Sequence, residues 1–330
     1  MNHSLTLKRK LAHCIALTVL LIILVGIAVN LGSIQVTYPE LFRGLFIEYN
    51  EMVEIIYDLR FPRIIISLLS GAALAVSGVL LQAVMKNPLA DPGIIGISSG
   101  ANLTAVIVIM WFPQLYFLSP LFAFIGGVVA CSLVFLFSWR GGFQALQIIL
   151  TGIAIHAVFT GLLDALGYMT GGKQSIVMSM VQSNISMKTW DDVRTLAYYV
   201  PPGLLLAFFT IRYCNLLGLE EKVIRNLGVR VSSVRLCVSA VAVLLASIST
   251  AVAGTMAFVG LIAPHIARLL VGSNHKWLIP FSILLGSFTV LLADTLGRYV
   301  ARPYEIPASI VMAVLGGPFF IFLLWRKTRR

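Results

Sequence analysis

The chain has 330 residues, of which 59% are hydrophobic and only 11% charged, with a formal charge of +11. A soluble domain carries about 25% charged residues, so this composition excludes a water-exposed globular surface. The basic balance does not point to nucleic acid, because the Lys and Arg residues are confined to short segments between long apolar runs, as positive-inside topology requires.

A helix needs about 20 apolar residues to cross the hydrocarbon core. Ten runs approach that length: Leu11–Leu31, Ile64–Met85, Gly93–Phe112, Phe117–Ser138, Phe143–Leu166, Thr195–Ile211, Leu236–Gly254, Met256–Val271, Trp277–Gly297 and Ile306–Trp325. The expected fold is therefore an all-α polytopic bundle of about ten spans, one permease-like domain over residues 1–330. The first run follows Lys8, Arg9 and Lys10 and is too long for the core of a signal peptide. The eighth is the shortest and carries Pro264, His265 and Arg268.

With the N-terminus inside, 16 of the 24 Lys and Arg residues fall on the inner side, which predicts cytoplasmic termini and a cytoplasmic 212–235 loop. The segments Gly32–Arg63 and Gly167–Arg194 then form outer connections. Spans 2–5 and 7–10 start from opposite sides, and each set opens with a Gly-rich helix and a Pro-broken connection, so an inverted repeat is expected. In span 2, Gly71, Ala75 and Gly78 share a helix face and predict close packing against a neighbour. Between spans 2 and 3, Asn87-Pro88 and Asp91-Pro92 predict a stiff turn.

Within the inner loop, Leu219, Val223 and Leu227 make an apolar stripe at i, i+4 and i+8, and Gly228 is placed to cap a short helix. Such a helix suits a lipid surface or a groove on a partner; the acidic pair Glu220 and Glu221 favours the partner. Ionisable residues in the spans are His156, Asp164, His265, Arg268 and Asp294, and only His156 sits at mid-depth. That is too sparse for a proton relay. Gly167 to Gln174 imitates a phosphate-binding loop, but Gln174 stands where a hydroxyl residue is required and no strand precedes it. Cys14, Cys131, Cys214 and Cys237 form no CxxC pair, and the five His are scattered. The sequence therefore predicts no enzyme active site, metal site or cofactor.

Three ordered blocks are similar to the iron–siderophore and cobalamin (FecCD-type) ABC importer permeases. They are Leu59-Arg60-Phe61-Pro62-Arg63 continuing through Gly71–Gly78 and Asn87–Ala101; Phe258–Arg268; and Leu292–Arg298 with Glu305-Ile306-Pro307 and Gly316–Phe320. The chain departs from the family pattern at Ala308-Ser309 after Pro307, and at Met180, Ser183 and Asn184 ahead of Trp190. The resemblance implies a permease subunit paired with a second, identical or paralogous, subunit. It further implies two cytoplasmic ATPases, an extracytoplasmic binding protein and a bacterial plasma membrane location. It maps ATPase coupling onto Leu219, Glu220, Glu221, Val223, Arg225, Leu227 and Gly228. Binding-protein docking maps onto Arg60, Arg63 and Arg298, with the Arg60 and Arg63 heads expected to reach water. The leading substrate on this resemblance is a ferric siderophore, with haem or cobalamin the alternatives. An ion-coupled secondary transporter remains a further, less favoured reading.

Overall fold

The computed structural model describes residues 6–31, 36–48, 50–138, 145–169, 185–301 and 304–328. Every regular element among them is helical. The α-helices are α1 (Leu7–Asn30), α2 (Tyr38–Phe46), α3 (Glu51–Val84), α4 (Ile97–Trp111), α5 (Ser119–Ser138), α6 (Ala145–Met169), α7 (Trp190–Phe209), α8 (Ile211–Leu217), α9 (Glu221–Asn226), α10 (Val231–Ala253), α11 (Val259–Val271), α12 (His275–Val300) and α13 (Ala308–Thr328), with short 3₁₀ turns at Pro113–Leu118 and Ile185–Met187.

Each of the ten predicted runs coincides with a helix, but they are not equal. Among the described residues, six helices are long and apolar enough to cross a membrane, and α7 with α8 makes a seventh that bends by 52°. Three apolar helices are short: Ile97–Trp111, Val259–Val271 and the Ala308–Phe322 stretch of α13. The eighth run falls short of a crossing. Gly254 and Phe258 take positive φ (78° and 68°), and helix begins only at Val259. Thirteen residues rise about 20 Å, short of the roughly 30 Å core.

The expected outer connection from Gly32 to Arg63 is largely helix. Thr37 and Glu40 form a capping box that starts α2. Asn50 accepts from the Met52 N–H at 3.0 Å and starts α3, whose 34 residues continue through Pro62. Hydropathy reports membrane depth rather than helicity, so the charged turns Glu51 to Arg63 read as loop although their capping signals were present.

The central helix is α3, buried almost throughout from Pro62 to Val84 and packed on α1, α7, α10, α11 and α12. Its small residues permit this. A Cβ on Gly71 would overlap the Gly286 carbonyl oxygen, and one on Gly78 would overlap the Gly260 carbonyl oxygen. Backbones this close gain van der Waals contact that bulkier residues forbid. Ser77 Oγ donates to Ala242 O at 2.7 Å and Ser287 Oγ to Leu68 O at 2.7 Å, adding interhelical hydrogen bonds.

The packing follows one rule twice. α3 contacts α12 and α11, while α10 contacts α5 and α4; α4 packs on α5 and α6, while α11 packs on α12 and α13. Some of these contacts also have glycine counterparts: Gly71 against Gly286 and Gly127 against Ser247, then Gly152 against Ile94 and Ile95 and Gly316 against Phe258. α3 and α10 run antiparallel, since Ser77 meets Ala242 while Ser249 Oγ donates to Ser70 O at 3.4 Å. Exchanging α3–α6 with α10–α13 thus maps the contact pattern onto itself, as the expected inverted repeat requires.

Candidate coupling and docking surfaces

At one end of the bundle lie the α3–α4 turn and the segment from Gly218 to Arg230. The span preceding this segment does not stop at Ile211; α8 continues it to Leu217 after the bend. The loop proper is therefore shorter than 212–235 and consists of α9 and its flanks. Leu219, Val223 and Leu227 are 43%, 45% and 59% exposed, but only Val223 lies within α9, with Leu219 before it and Leu227 at its C-cap, while Ile224, about 100° round from Val223, is buried. The predicted stripe thus points away from the bundle. Gly228 closes α9 with φ +75°, and its N–H donates to Arg225 O at 2.9 Å.

Few ties hold α9 down. Glu221 accepts from Arg235 at 2.6 Å and lies 3.6 Å from Arg225. Lys86 Nζ donates to Leu219 O at 2.6 Å, joining the α3–α4 turn to the entry of α9. Between α9, α5 and the start of α10 is a cleft of about 840 Å³, lined by Phe135, Leu136, Arg225, Arg230 and Arg235 among others. A helix of six residues has no stability of its own, so its posture depends on these ties and on whatever covers the stripe.

The α3–α4 turn itself is braced from two sides. Asp91 Oδ1 accepts from the N–H groups of Gly93 at 2.8 Å and Ile94 at 3.3 Å. Its other oxygen lies against Gly260, at the start of α11. Burial raises the Asp91 carboxyl to about 6, against the pull of the Gly93, Ile94 and Gly260 N–H groups. Gln82 Nε2 donates to Ala90 O at 3.2 Å and Gly260 O at 3.0 Å. One residue pair thus binds the first Pro-broken connection to the second short helix. In the sequence Asp91 read only as a turn former, because Gly260 is far away along the chain.

At the opposite end the three predicted arginines come together, but not as expected. Arg63 and Arg298 are only 5% and 6% exposed. Arg63 Nε donates to both Asp294 oxygens, Oδ1 at 2.9 Å and Oδ2 at 3.0 Å, its Nη2 lies 2.8 Å from Oδ1, and its Nη1 donates to Glu305 Oε2 at 2.7 Å. Arg298 Nε lies 3.3 Å from Asp294 Oδ2, and its Nη1 donates to Ala28 O and Leu31 O, both at 3.2 Å. Arg60 Nη1 donates to Val29 O at 2.7 Å and is half-buried. Arg60 and Arg298 thus satisfy the carbonyls that the end of α1 leaves open and suit its negative dipole. The expectation that the Arg63 head reaches water is corrected: a guanidinium beside two carboxylates gains more from bidentate pairing than from solvent. Burial acts to raise Glu305, but Arg63 holds it below the usual carboxylate range.

Asp294 and Glu305 are the residues that local reading undervalued. They meet Arg63 across sequence separations of 231 and 242, which leave no periodic signal. Of the other ionisable span residues, His265 packs edge-on to Phe319, while His156 and Asp164 lie exposed on α6. Thr170 to Gln174 of the phosphate-loop mimic, and Met180, Ser183 and Asn184, lie outside the described residues. Among the described residues no group of His, Cys, Asp or Glu is arranged to hold a metal ion.

Comparison with known proteins agrees with this architecture. The model of the FecCD transport family matches residues 20–326. A Staphylococcus aureus (strain Newman) protein named as a heme-iron transport system permease, IsdF, is 40% identical over 322 residues, covering 98% of both chains. The same-named protein of the bovine strain RF122 is 39% identical over the same length. Among solved structures, one described as an inward-facing conformation of a transporter of "metal-chelate type" superposes with a TM-score of 0.78 at 32% identity, covering 95% of this chain and 98% of that one. PsaBC from Streptococcus pneumoniae, solved with a Fab, shares the fold with a TM-score of 0.58 at 16% identity, over 87% of this chain and 95% of that one. The fold and these likenesses define a class: the multi-pass permease subunit of an ABC importer in the plasma membrane. The chain belongs to the FecCD transport family. Such a subunit is not itself an enzyme; it works with an ATPase that is a separate subunit and with a substrate-binding protein.

Proposed function

We propose that this subunit pairs with a second permease to form one pathway for an iron chelate, alternating between outward- and inward-open states. The observation that carries the reading is the exposed apolar run of Leu219, Val223 and Leu227 along the short helix α9 and its two flanks. Such a helix is shaped to enter a groove on a partner, and an ATPase is the partner this class requires. Glu220, Glu221, Arg225 and Gly228 complete the coupling surface. That end is cytoplasmic, supported by the Lys and Arg bias. The opposite end receives the binding protein. There Arg60 keeps exposed surface for acidic partners, while Arg63 and Arg298 brace the rim through Asp294.

For the substrate, the name of the 40%-identical relatives favours haem over the ferric siderophore that motif resemblance alone put first. A siderophore reading keeps support from the "metal-chelate type" neighbour. The test is ATP-dependent uptake into proteoliposomes holding the permease and its ATPase, with the binding protein added outside. Ferric haem and a panel of ferric siderophores are compared. Uptake of neither class would overturn the iron-chelate reading.

A further inference from the structure

The cleft between α9, α5 and α10 is not accounted for by the exposed run on α9 or by the arginine-bearing end. Its volume of about 840 Å³ falls in the range of small-molecule sites, about 300–1,000 Å³. Its lining includes Arg225, Arg230, Arg235 and Glu221. Glu221 is taken up within this group, since Arg235 donates to it at 2.6 Å and Arg225 lies 3.6 Å away. One carboxylate among three guanidiniums leaves two positive charges uncompensated. Guanidinium groups pair with phosphate through parallel N–H···O bonds.

The cleft also runs into the membrane. α10 is long and apolar enough to span it. Arg230 is exposed at the N-cap of α10; Arg235 and Ser239 lie about 6 and 12 Å beyond the first residue of that helix. On the facing wall Leu136 stands near the end of α5. Leu136 and Leu236 are 67% and 72% exposed. Ser239 is only 5% exposed, and its hydroxyl has no hydrogen-bond partner among the described residues. It shares a helix face with Arg235, one turn deeper. The cleft therefore presents positive charge at its mouth, and uncovered apolar walls with an unsatisfied donor further in.

A free phosphate would meet the charge and leave Leu136 and Leu236 uncovered. An acidic protein segment would have to follow the walls below the headgroups, where unpaired backbone groups are costly. A phospholipid meets both demands. We propose that this cleft binds one anionic phospholipid of the leaflet at the α9 end. Its phosphodiester lies against Arg225, Arg230 and Arg235, its glycerol ester beside Ser239, and its acyl chains over Leu136 and Leu236. Basic pockets between membrane helices hold anionic headgroups in this way. Two uncompensated charges favour a two-phosphate lipid such as cardiolipin over phosphatidylglycerol, and either over neutral phosphatidylcholine.

The experiment places the full-length permease, with and without its ATPase, in nanodiscs of mixed phosphatidylcholine, phosphatidylglycerol and cardiolipin. Lipid retained on transfer to detergent is identified and counted by native mass spectrometry. The parent is compared with Arg230→Gln, Arg230→Gln/Arg235→Gln and Arg212→Gln; Arg212 is exposed near the same end but does not line the cleft. The parent retains one anionic lipid per chain, in the order given. Each arginine lost weakens retention about fivefold and the pair about 30-fold, while Arg212→Gln matches the parent. Arg235 also holds Glu221, so if the double variant does not assemble, Arg230→Gln alone decides. Inorganic phosphate and soluble glycerophosphoglycerol leave the lipid in place. Displacement by either assigns the cleft to free anions and overturns the proposal. Lipid retained only when the ATPase is absent gives the cleft to the protein partner and overturns it too, as does equal retention of phosphatidylglycerol and phosphatidylcholine, or variants that match the parent. No substrate is present, so each outcome is independent of the iron-chelate reading.

Discussion

Removing the Asp294 carboxylate is the sharpest perturbation this structure offers. Asp294 is 1% exposed and is the shared partner of two buried arginines. In Asp294→Asn, Arg63 keeps Glu305, whose side chain is 47% exposed, and Arg298 keeps the carbonyls of Ala28 and Leu31. Breaking a buried pair by removing one partner costs about 3–5 kcal/mol, because the other charge is left uncompensated. Here Arg298 loses its carboxylate contact and Arg63 keeps only the half-exposed Glu305, so the loss belongs at the upper end. In Arg63→Met, Asp294 retains Arg298, and a loss of roughly 2–3 kcal/mol follows by the same reasoning. The double variant Arg63→Met/Asp294→Leu removes both members and loses well under the sum. Reversible unfolding of the detergent-purified subunit measures all three. Additive losses in the cycle, or an Asp294→Asn loss no larger than that of Arg63→Met, would refute the shared-carboxylate account.

The remaining predictions follow from the same geometry. Asp91 has a folded-state pKa of about 6 against an ordinary 3.8. Its contribution is complete below the unfolded value and lost as pH rises through the folded one, so wild type weakens relative to Asp91→Asn by on the order of 3 kcal/mol between pH 4 and pH 7. A stability difference flat across that window sinks the assignment. Gly78→Ala places a methyl on the Gly260 carbonyl and costs about 1–3 kcal/mol or more, whereas Ala at Gly317, with open space around it, stays within about 0.5 kcal/mol; comparable thermal stabilities would contradict the close approach. Leu227→Glu leaves the bundle folded, because Leu227 is exposed, yet abolishes co-purification with the ATPase; undiminished co-purification counts against the coupling role. Arg60→Glu weakens binding-protein association, most strongly at low ionic strength where charges are least screened, and an affinity independent of both charge and salt removes Arg60 from the docking surface.

Sequence alone determined the membrane class, the places of the ten apolar helices and the apolar spacing at Leu219, Val223 and Leu227. These are local properties: hydropathy over about 20 residues, a spacing of four, a glycine able to adopt φ +75° at position 228. It also flagged the small residues of α3, although not what they touch. Tertiary structure decided the rest. Only packing shows that α3 extends through Pro62, that the helix of the eighth run is too short to span, and that Gly78 meets Gly260. Arg63 read as a water-facing head until Asp294 and Glu305 arrived from more than 200 residues away. Pairing and exposure depend on which surfaces meet, and a pattern of period 3.6 carries no information about a partner distant in the chain.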